Sequence, residues 1–331
     1  MTRLQRSIVR LVLVFAVLAG PAPVFGQVPK YDALYVFGDS LSDTGNFWIL
    51  SRSFGADPAI PPSESPHKTY FHGRFSNGPI VFEHLWARLN PSGSPLVPSL
   101  AIAQLPPRTA VSFAFGASET GADCSPVPGL LCQVGMYAQS LNGAQPSKRA
   151  LYAVFSGAND VLNAPNPLDP AVVTGIVTHV TQAVEQLYQL GARDVIVVNM
   201  VNLGLSPVVP GPELKAALDQ LAQQHNAALA SALGVLSNTL PGIRIIPVDL
   251  YSYVQSLVAT SSFYFATPAV DPVNATCLFD GAVPAGINCH DVPTFNVDKS
   301  YFFWDVEHPT KAAHADVGAF IYRTLRQFYD R

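Results

Sequence analysis

Five short apolar runs most constrain how this chain can fold. They cover residues 33–37, 110–115, 151–155, 194–198 and 243–248. Each is nearly continuous in Val, Ile, Leu, Phe or Ala, without the polar alternation of a half-exposed strand. Such runs suit strands covered on both faces, the condition of a parallel sheet. Helical stretches separate them. Asn77-Gly78-Pro79 precedes an apolar stripe over 80–89, and Asp169-Pro170 opens a stretch to Leu190 with Gly191 at the expected C′ position. Residues 212–236 are alanine-rich, and 309–328 close the chain with Pro309 expected at the first helical position. The alternation predicts an open parallel α/β sheet. Residues 51–73 and 262–296, rich in Pro, Gly, Asn and Ser, are expected as long loops over one end of it. No internal repeat and no second-domain boundary is visible.

The N-terminus lies outside this pattern. Arg3, Arg6 and Arg10 precede an apolar run over 11–19, and Val24 and Gly26 place small residues before Gln27. That is the layout of a signal peptide over residues 1–26, leaving a single domain over 27–331 and a secreted, extracellular or periplasmic product. The apolar run is shorter than the ~18–20 residues a membrane span needs. The first 26 residues carry three arginines and no acid, so the net charge of −4 becomes −7 without them. Charged residues make up 13% of the chain, and no basic run offers a face to nucleic acid.

Cysteine usage fits export. Cys124 with Cys132 and Cys277 with Cys289 form two close pairs, each able to close a short loop in a Pro/Gly-rich stretch. Four cysteines permit three connectivities, of which local pairing is favoured. A zinc site is the alternative, hinted at only by Cys289-His290.

Four turn-rich segments sit where an open α/β sheet places its ligands. Gly38-Asp39-Ser40-Leu41-Ser42, Phe115-Gly116-Ala117-Ser118 and Gly157-Ala158-Asn159-Asp160 follow the first three strands, and Asp305-Val306-Glu307-His308-Pro309 precedes the last helix. One serine, one amide side chain and one Asp-x-x-His pair could thus converge on one edge. Ester hydrolysis needs that inventory. A serine hydroxyl is a weak nucleophile until a base takes its proton, and imidazole suits that task. A carboxylate must orient the imidazole, and N–H donors must meet the oxyanion. The bland readings are Ser40 as a helix cap, Asn159 as a turn residue, and Asp305 and His308 as caps or, with His314 and Asp316, metal ligands. His308 and His314 are six apart and so do not share a helical face. Asp43 and Asn46 are expected to brace the serine turn, and Asp160 to act as a cap. His67, His72 and His84 are expected at the surface, and His225 and His314 as structural helix residues. Asn274-Ala275-Thr276 fits a glycosylation sequon. The Gly-x-Ser-x-Gly elbow is absent, because Ser42 follows Leu41.

Residues 37–46, reading Phe-Gly-Asp-Ser-Leu-Ser-Asp-Thr-Gly-Asn, resemble the opening block of the GDSL, or SGNH, hydrolases. Gly157 to Asp160 resemble the family's Gly-x-Asn-Asp block and Asp305 to Pro309 its Asp-x-x-His-Pro block. Gly73-Arg74-Phe75-Ser76-Asn77-Gly78 and the stretch from Asn202 to Pro207 are similar to segments of the lecithinase-like and plant-like branch. The resemblance implies a flavodoxin-like α/β/α sandwich with a mostly parallel five-stranded sheet. It implies Ser40 as nucleophile, His308 as base and Asp305 as its partner, with an oxyanion hole from the Ser40 N–H, the Asn159 side chain and an N–H of Gly116 or Ala117. Relatives usually carry a second glycine where this chain has Ala117, so which of the two donates is left open. The implied substrate is a small-molecule or lipid ester, with transient contact to a lipid surface and no nucleic-acid or protein partner. Acetylated polysaccharide is an alternative substrate. No cofactor or metal is called for. The rival from another class is a secreted, non-catalytic lipid- or glycan-binding module on the same fold.

Overall fold

Apolar runs without a polar face are stable only when covered on both sides, and here they pair with one another. The computed structural model describes residues 28–260 and 302–330. In chain order these form β1 (Ala33–Gly38), α1 (Asn46–Ser53), α2 (Val81–Leu89), β2 (Leu96–Pro98), β3 (Ala110–Ser112), α3 (Leu130–Ser140), β4 (Ala150–Phe155), α4 (Ala158–Leu162), α5 (Pro170–Gln189), β5 (Asp194–Val198), α6 (Pro212–Thr239), β6 (Arg244–Val248), α7 (Leu250–Ala259) and α8 (Lys311–Tyr329). The strands make one parallel sheet in the order β2-β3-β1-β4-β5-β6. Alternate strand residues face two cores. Tyr35, Phe37, Tyr152, Val154, Val195 and Val197 pack with α3, α5 and α6. Leu34, Val36, Leu151, Ala153, Ile196 and Ile246 pack with α2, α7 and α8. This is the three-layer α/β/α architecture expected from the sequence.

Three expectations need correction. The sheet has six strands, not five. The extra one, β2, is a three-residue edge strand in which only Leu96 is buried, so no apolar run announced it. The second apolar run is β3 over Ala110–Ser112, and beyond it the Phe113 and Phe115 N–H groups still donate to the Val36 and Gly38 carbonyls of β1 at 2.7 and 3.2 Å. Pro309 is not the first residue of the last helix. Thr310 is its N-cap, with Oγ1 accepting from the Ala313 N–H at 3.2 Å, and Pro309 bridges to Phe303 instead. Asp169 does cap α5, and Gly191 follows it at φ 107°. The expected loop over 51–73 begins only after α1.

Cys124 and Cys132 are joined as a disulfide with Cα atoms 5.5 Å apart. Cys277, Cys289, the Asn274 sequon, the 262–296 loop and the 1–26 leader lie outside the described residues. No helix among the described residues is long and apolar enough to cross a membrane.

Candidate active site

β1 can end in a sharp turn only because Gly38 is a glycine. Its φ is 149°, and a Cβ there would stand 1.9 Å from the Phe155 carbonyl oxygen of β4. Beyond it, Asp39 Oδ1 accepts from the Leu41 N–H at 3.0 Å and its carbonyl from the Ser42 N–H at 3.0 Å, a turn that sets the buried Ser40 at the strand end. Asp43 then gathers four backbone N–H groups: Gly45 at 2.7 Å, Asn46 at 2.6 Å, Phe47 at 2.9 Å and Gly116 at 2.8 Å. Asn46 donates to the carbonyls of Ser112 and Ala114 at 2.8 and 2.9 Å and accepts from the Leu100 N–H at 2.9 Å. These two side chains tie the turn after β1 to the segment after β3.

The structure brings Ser40, His308 and Asp305 together. His308 Nε2 lies 2.9 Å from Ser40 Oγ, and Nδ1 lies 2.7 Å from Asp305 Oδ2 and 2.9 Å from Oδ1. With a carboxylate on Nδ1, that nitrogen carries the proton and Nε2 is left to accept from the hydroxyl. Asp305 Oδ1 also accepts from the N–H groups of Glu307 and His308 at 2.8 and 2.7 Å, so the Asp-x-x-His spacing closes a turn around its own carboxylate. Burial would push the His308 imidazole down, but the Asp305 charge and hydrogen bond, then Glu307 and Asp39, outweigh it and hold it above its ordinary value. Burial likewise raises Asp305, and His308 with the two backbone donors more than reverses this. Asp39 is pushed up to about 7 by burial, against the Leu41 N–H and the nearby His308. The array can shuttle a proton between a hydroxyl and an imidazole while a carboxylate holds the ring.

Neither the Ser40 N–H nor the Ala117 N–H has an acceptor among the described residues. Gly116 is excluded as a free donor, because its N–H is held by Asp43. Ala117 adopts φ 60°, so the alanine occupies the left-handed region that favours glycine. Asn159 Nδ2 gives one hydrogen to the Ser118 carbonyl at 2.9 Å and has a second to offer. Asp160 accepts from the Thr120 N–H and Oγ1, at 3.0 and 2.5 Å, which ties the turn after β4 to the same segment. An open apolar cavity adjoins Ser40, Asn159 and His308 and is walled by Leu41, Val81, Leu162, Leu203, Val254 and Val317.

Sequence reasoning missed how residues 70–77 serve this site. The Tyr70 hydroxyl donates to Asp305 Oδ2 at 2.8 Å, and the Phe75 ring lies on His308 with centroids 4.9 Å apart. Ser76 Oγ donates to the Pro309 carbonyl at 2.8 Å, and Asn77 Oδ1 accepts from the Lys311 N–H at 2.7 Å. The Gly73–Gly78 block was the available signal; Tyr70, three residues upstream of it, carried none. His314 is buried on α8 and lines the cavity, with burial pushing its pKa down to about 3. Asp316 accepts from the Tyr253 hydroxyl at 2.5 Å. His225 is buried within α6, His67 is exposed, and His84 is half-buried on α2 rather than at the surface. No group of three or more His, Cys, Asp or Glu that could hold a metal ion occurs among the described residues.

Comparison with known proteins follows the same lines. A family model described as GDSL-like lipase/acylhydrolase matches residues 34–321. The GDSL esterase/lipase ESM1 of Arabidopsis thaliana is 27% identical over 350 aligned residues, covering 96% of this chain and 85% of that protein. The inactive GDSL esterase/lipase-like protein 25 of the same plant is 27% identical over 314, covering 89% and 72%. Among solved structures, the acetylxylan esterase Axe2 of Geobacillus stearothermophilus superposes with a TM-score of 0.43 at 10% identity, over 91% of this chain and 95% of that one.

Proposed function

The chain belongs to the GDSL-like lipase/acylhydrolase family, and from that premise we propose that it hydrolyses carboxylic esters with Ser40 as nucleophile, His308 as base and Asp305 as the group that orients the base. The observation that carries this reading is the continuous hydrogen-bonded line from Ser40 Oγ through His308 to Asp305.

The reaction runs in two steps. Ser40 Oγ attacks the ester carbonyl as His308 Nε2 takes its proton, and the resulting imidazolium faces the Asp305 carboxylate. The Ser40 N–H, the Ala117 N–H and the second Asn159 Nδ2 hydrogen receive the oxyanion. Collapse expels the alcohol, which leaves with the proton from His308. Water then adds to the acyl-serine, losing its proton to His308, and collapse releases the acid as Ser40 Oγ leaves with that proton. No step needs a metal or cofactor.

The apolar cavity beside Ser40 favours an acyl chain as the group held there. Val208 and Val306, 41% and 36% exposed and joined by a backbone hydrogen bond next to Asp305, favour contact with a lipid surface. Residues 1–26 are read as an export leader removed before Gln27, with 27–331 as one secreted domain; N-terminal sequencing of the exported protein tests that boundary.

Ser40→Ala is expected to abolish fluorophosphonate labelling and turnover of a chromogenic ester while leaving thermal unfolding unchanged. A wild-type chain that neither labels nor turns over ester would instead be a non-catalytic relative, as the name of one Arabidopsis protein states of that protein. An acyl series from acetate to palmitate then separates a lipid ester from an acetylated glycan as substrate.

A further inference from the structure

We propose that Tyr70 is a positioning residue of this site, its hydroxyl fixing the Asp305 carboxylate so that the carboxylate can fix His308. The assignment rests on His308 being the base.

Asp305 Oδ1 is held by donors from its own turn, the N–H groups of Glu307 and His308 together with His308 Nδ1. Oδ2 receives only His308 Nδ1 and Tyr70 among the described residues. Every donor except Tyr70 therefore lies within three residues of Asp305 and moves with it. Among the described residues Tyr70 alone ties the carboxylate to another part of the chain, 235 residues away. Asp305 is 6% exposed, so bulk water is a poor substitute.

The hydroxyl does not act in isolation. Tyr70 with Asp305, Phe75 with His308, Ser76 with Pro309 and Asn77 with Lys311 form four contacts in the same order along both segments. The segment is itself anchored, since Arg74 bonds Glu83 with both partners 15% exposed, and Glu83 accepts from the Ile80 N–H at the start of α2. Residues 70–77 thus form a clamp whose far end is a packed helix.

The electrical sign of the contact is also fixed. A phenol donating to Asp305 draws charge from the carboxylate and leaves it a weaker partner for the imidazolium. Besides Tyr70, the groups acting on this pair are Glu307 and Asp39, which favour the imidazolium, and His314, which is neutral when buried. Removing the hydroxyl therefore raises the pKa of His308 as well as loosening the carboxylate.

Tyr70→Phe in the full chain deletes one oxygen. The expected result is a kcat about tenfold lower at neutral pH, equivalent to about 1.4 kcal/mol and the scale of one hydrogen bond to a charged group. KM should be unchanged, and the acidic limb of the pH profile should move to higher pH. A merely structural tyrosine would lower the unfolding temperature without moving that limb. Histidine-selective NMR on both proteins reads the His308 titration without any turnover, with an upward shift expected in the variant. An active wild type whose kcat and acidic limb are matched by Tyr70→Phe overturns the role of Tyr70. If neither protein turns over ester, the hydrolase reading fails, and the NMR titration still decides: an unmoved His308 overturns Tyr70 as well.

Discussion

Asn46 offers a sharp test of what holds the site together. Its side chain is fully buried and spends both amide hydrogens on the carbonyls of Ser112 and Ala114, which lead out of β3 toward Ala117. Asn46→Ala leaves those two buried carbonyls without that donor, at about 1–3 kcal/mol each. The Leu100 N–H that Asn46 Oδ1 accepts is near the surface and can turn to water. A loss of about 3–4 kcal/mol is expected, a large share of the ~5–15 kcal/mol that holds a typical domain. Asn46→Asp has the same shape but sets a carboxylate against two carbonyl oxygens, so its folded pKa must rise. The folded protein then binds the proton that the unfolded chain releases above about 4, and stability falls as pH rises, by about 1.4 kcal/mol per unit until the folded pKa is reached. Urea unfolding at pH 5 and pH 8, with m-values compared to confirm that only stability changed, measures both effects. An aspartate variant as stable as wild type at pH 8, or an alanine variant within 1 kcal/mol, would refute the reasoning. The same variants should slow ester turnover, because one misplaced oxyanion donor costs about 10²–10³ in rate.

Other outcomes follow from single features. The acidic limb of kcat/KM in the wild type is expected above the ordinary imidazole value of 6.5, since Asp305 holds His308 up; a limb below it would contradict the geometry. His314, buried and pushed down to about 3, lets the unfolded chain bind a proton that the folded one refuses, so stability is lost as pH falls below 6.5. His314→Gln should flatten that fall in urea titrations between pH 6.5 and 4. Gly38→Ala should yield no soluble folded protein, because its methyl would overlap the Phe155 carbonyl in the centre of the sheet. Leu162→Trp, which narrows the cavity, should reduce long-chain ester turnover more than acetate turnover in the same chain-length series.

Much of this was legible in the sequence because the relevant signals are local. A strand covered on both faces must be apolar throughout, so five of the six strands announced themselves. β2 did not, since at a sheet edge three residues ending in Pro98 suffice. α1 was hidden for a related reason. Its start is set by Asp43 accepting from Asn46 and Phe47, with only Asn46 and Ser51 buried, so no apolar stripe marked it. At the last helix the rule for proline at the first position and the rule for a threonine cap competed over adjacent residues. Thr310 prevailed because its Oγ1 meets the Ala313 N–H, while the Pro309 carbonyl is occupied by Ser76. The clamp over residues 70–77 had no local signature. Each of its contacts spans more than 230 residues, and nothing in the pattern around Tyr70 shows which distant carboxylate it will meet.

The sheet order explains why these pieces meet. β1 is first in sequence but lies between β3 and β4, so the chain builds to one side of it and then crosses to the other. Open α/β sheets bind ligands at that reversal, outside the carboxyl ends of the strands. Three turns therefore crowd together after β1, β3 and β4, and each must satisfy its own buried backbone. They do so by bonding to one another: Asp43 to the Gly116 N–H, Asn159 to the Ser118 carbonyl, Asp160 to the Thr120 N–H. None of these bonds involves a substrate, so in the proposed reaction the directions of the Ser40, Ala117 and Asn159 donors would be set before any ester arrives. Donors fixed in advance need no reorganisation as charge develops, which is where such groups contribute most to rate. The imidazole comes from the turn before α8, outside this network, and it is there that the fold adds a second restraint through Tyr70 and Phe75.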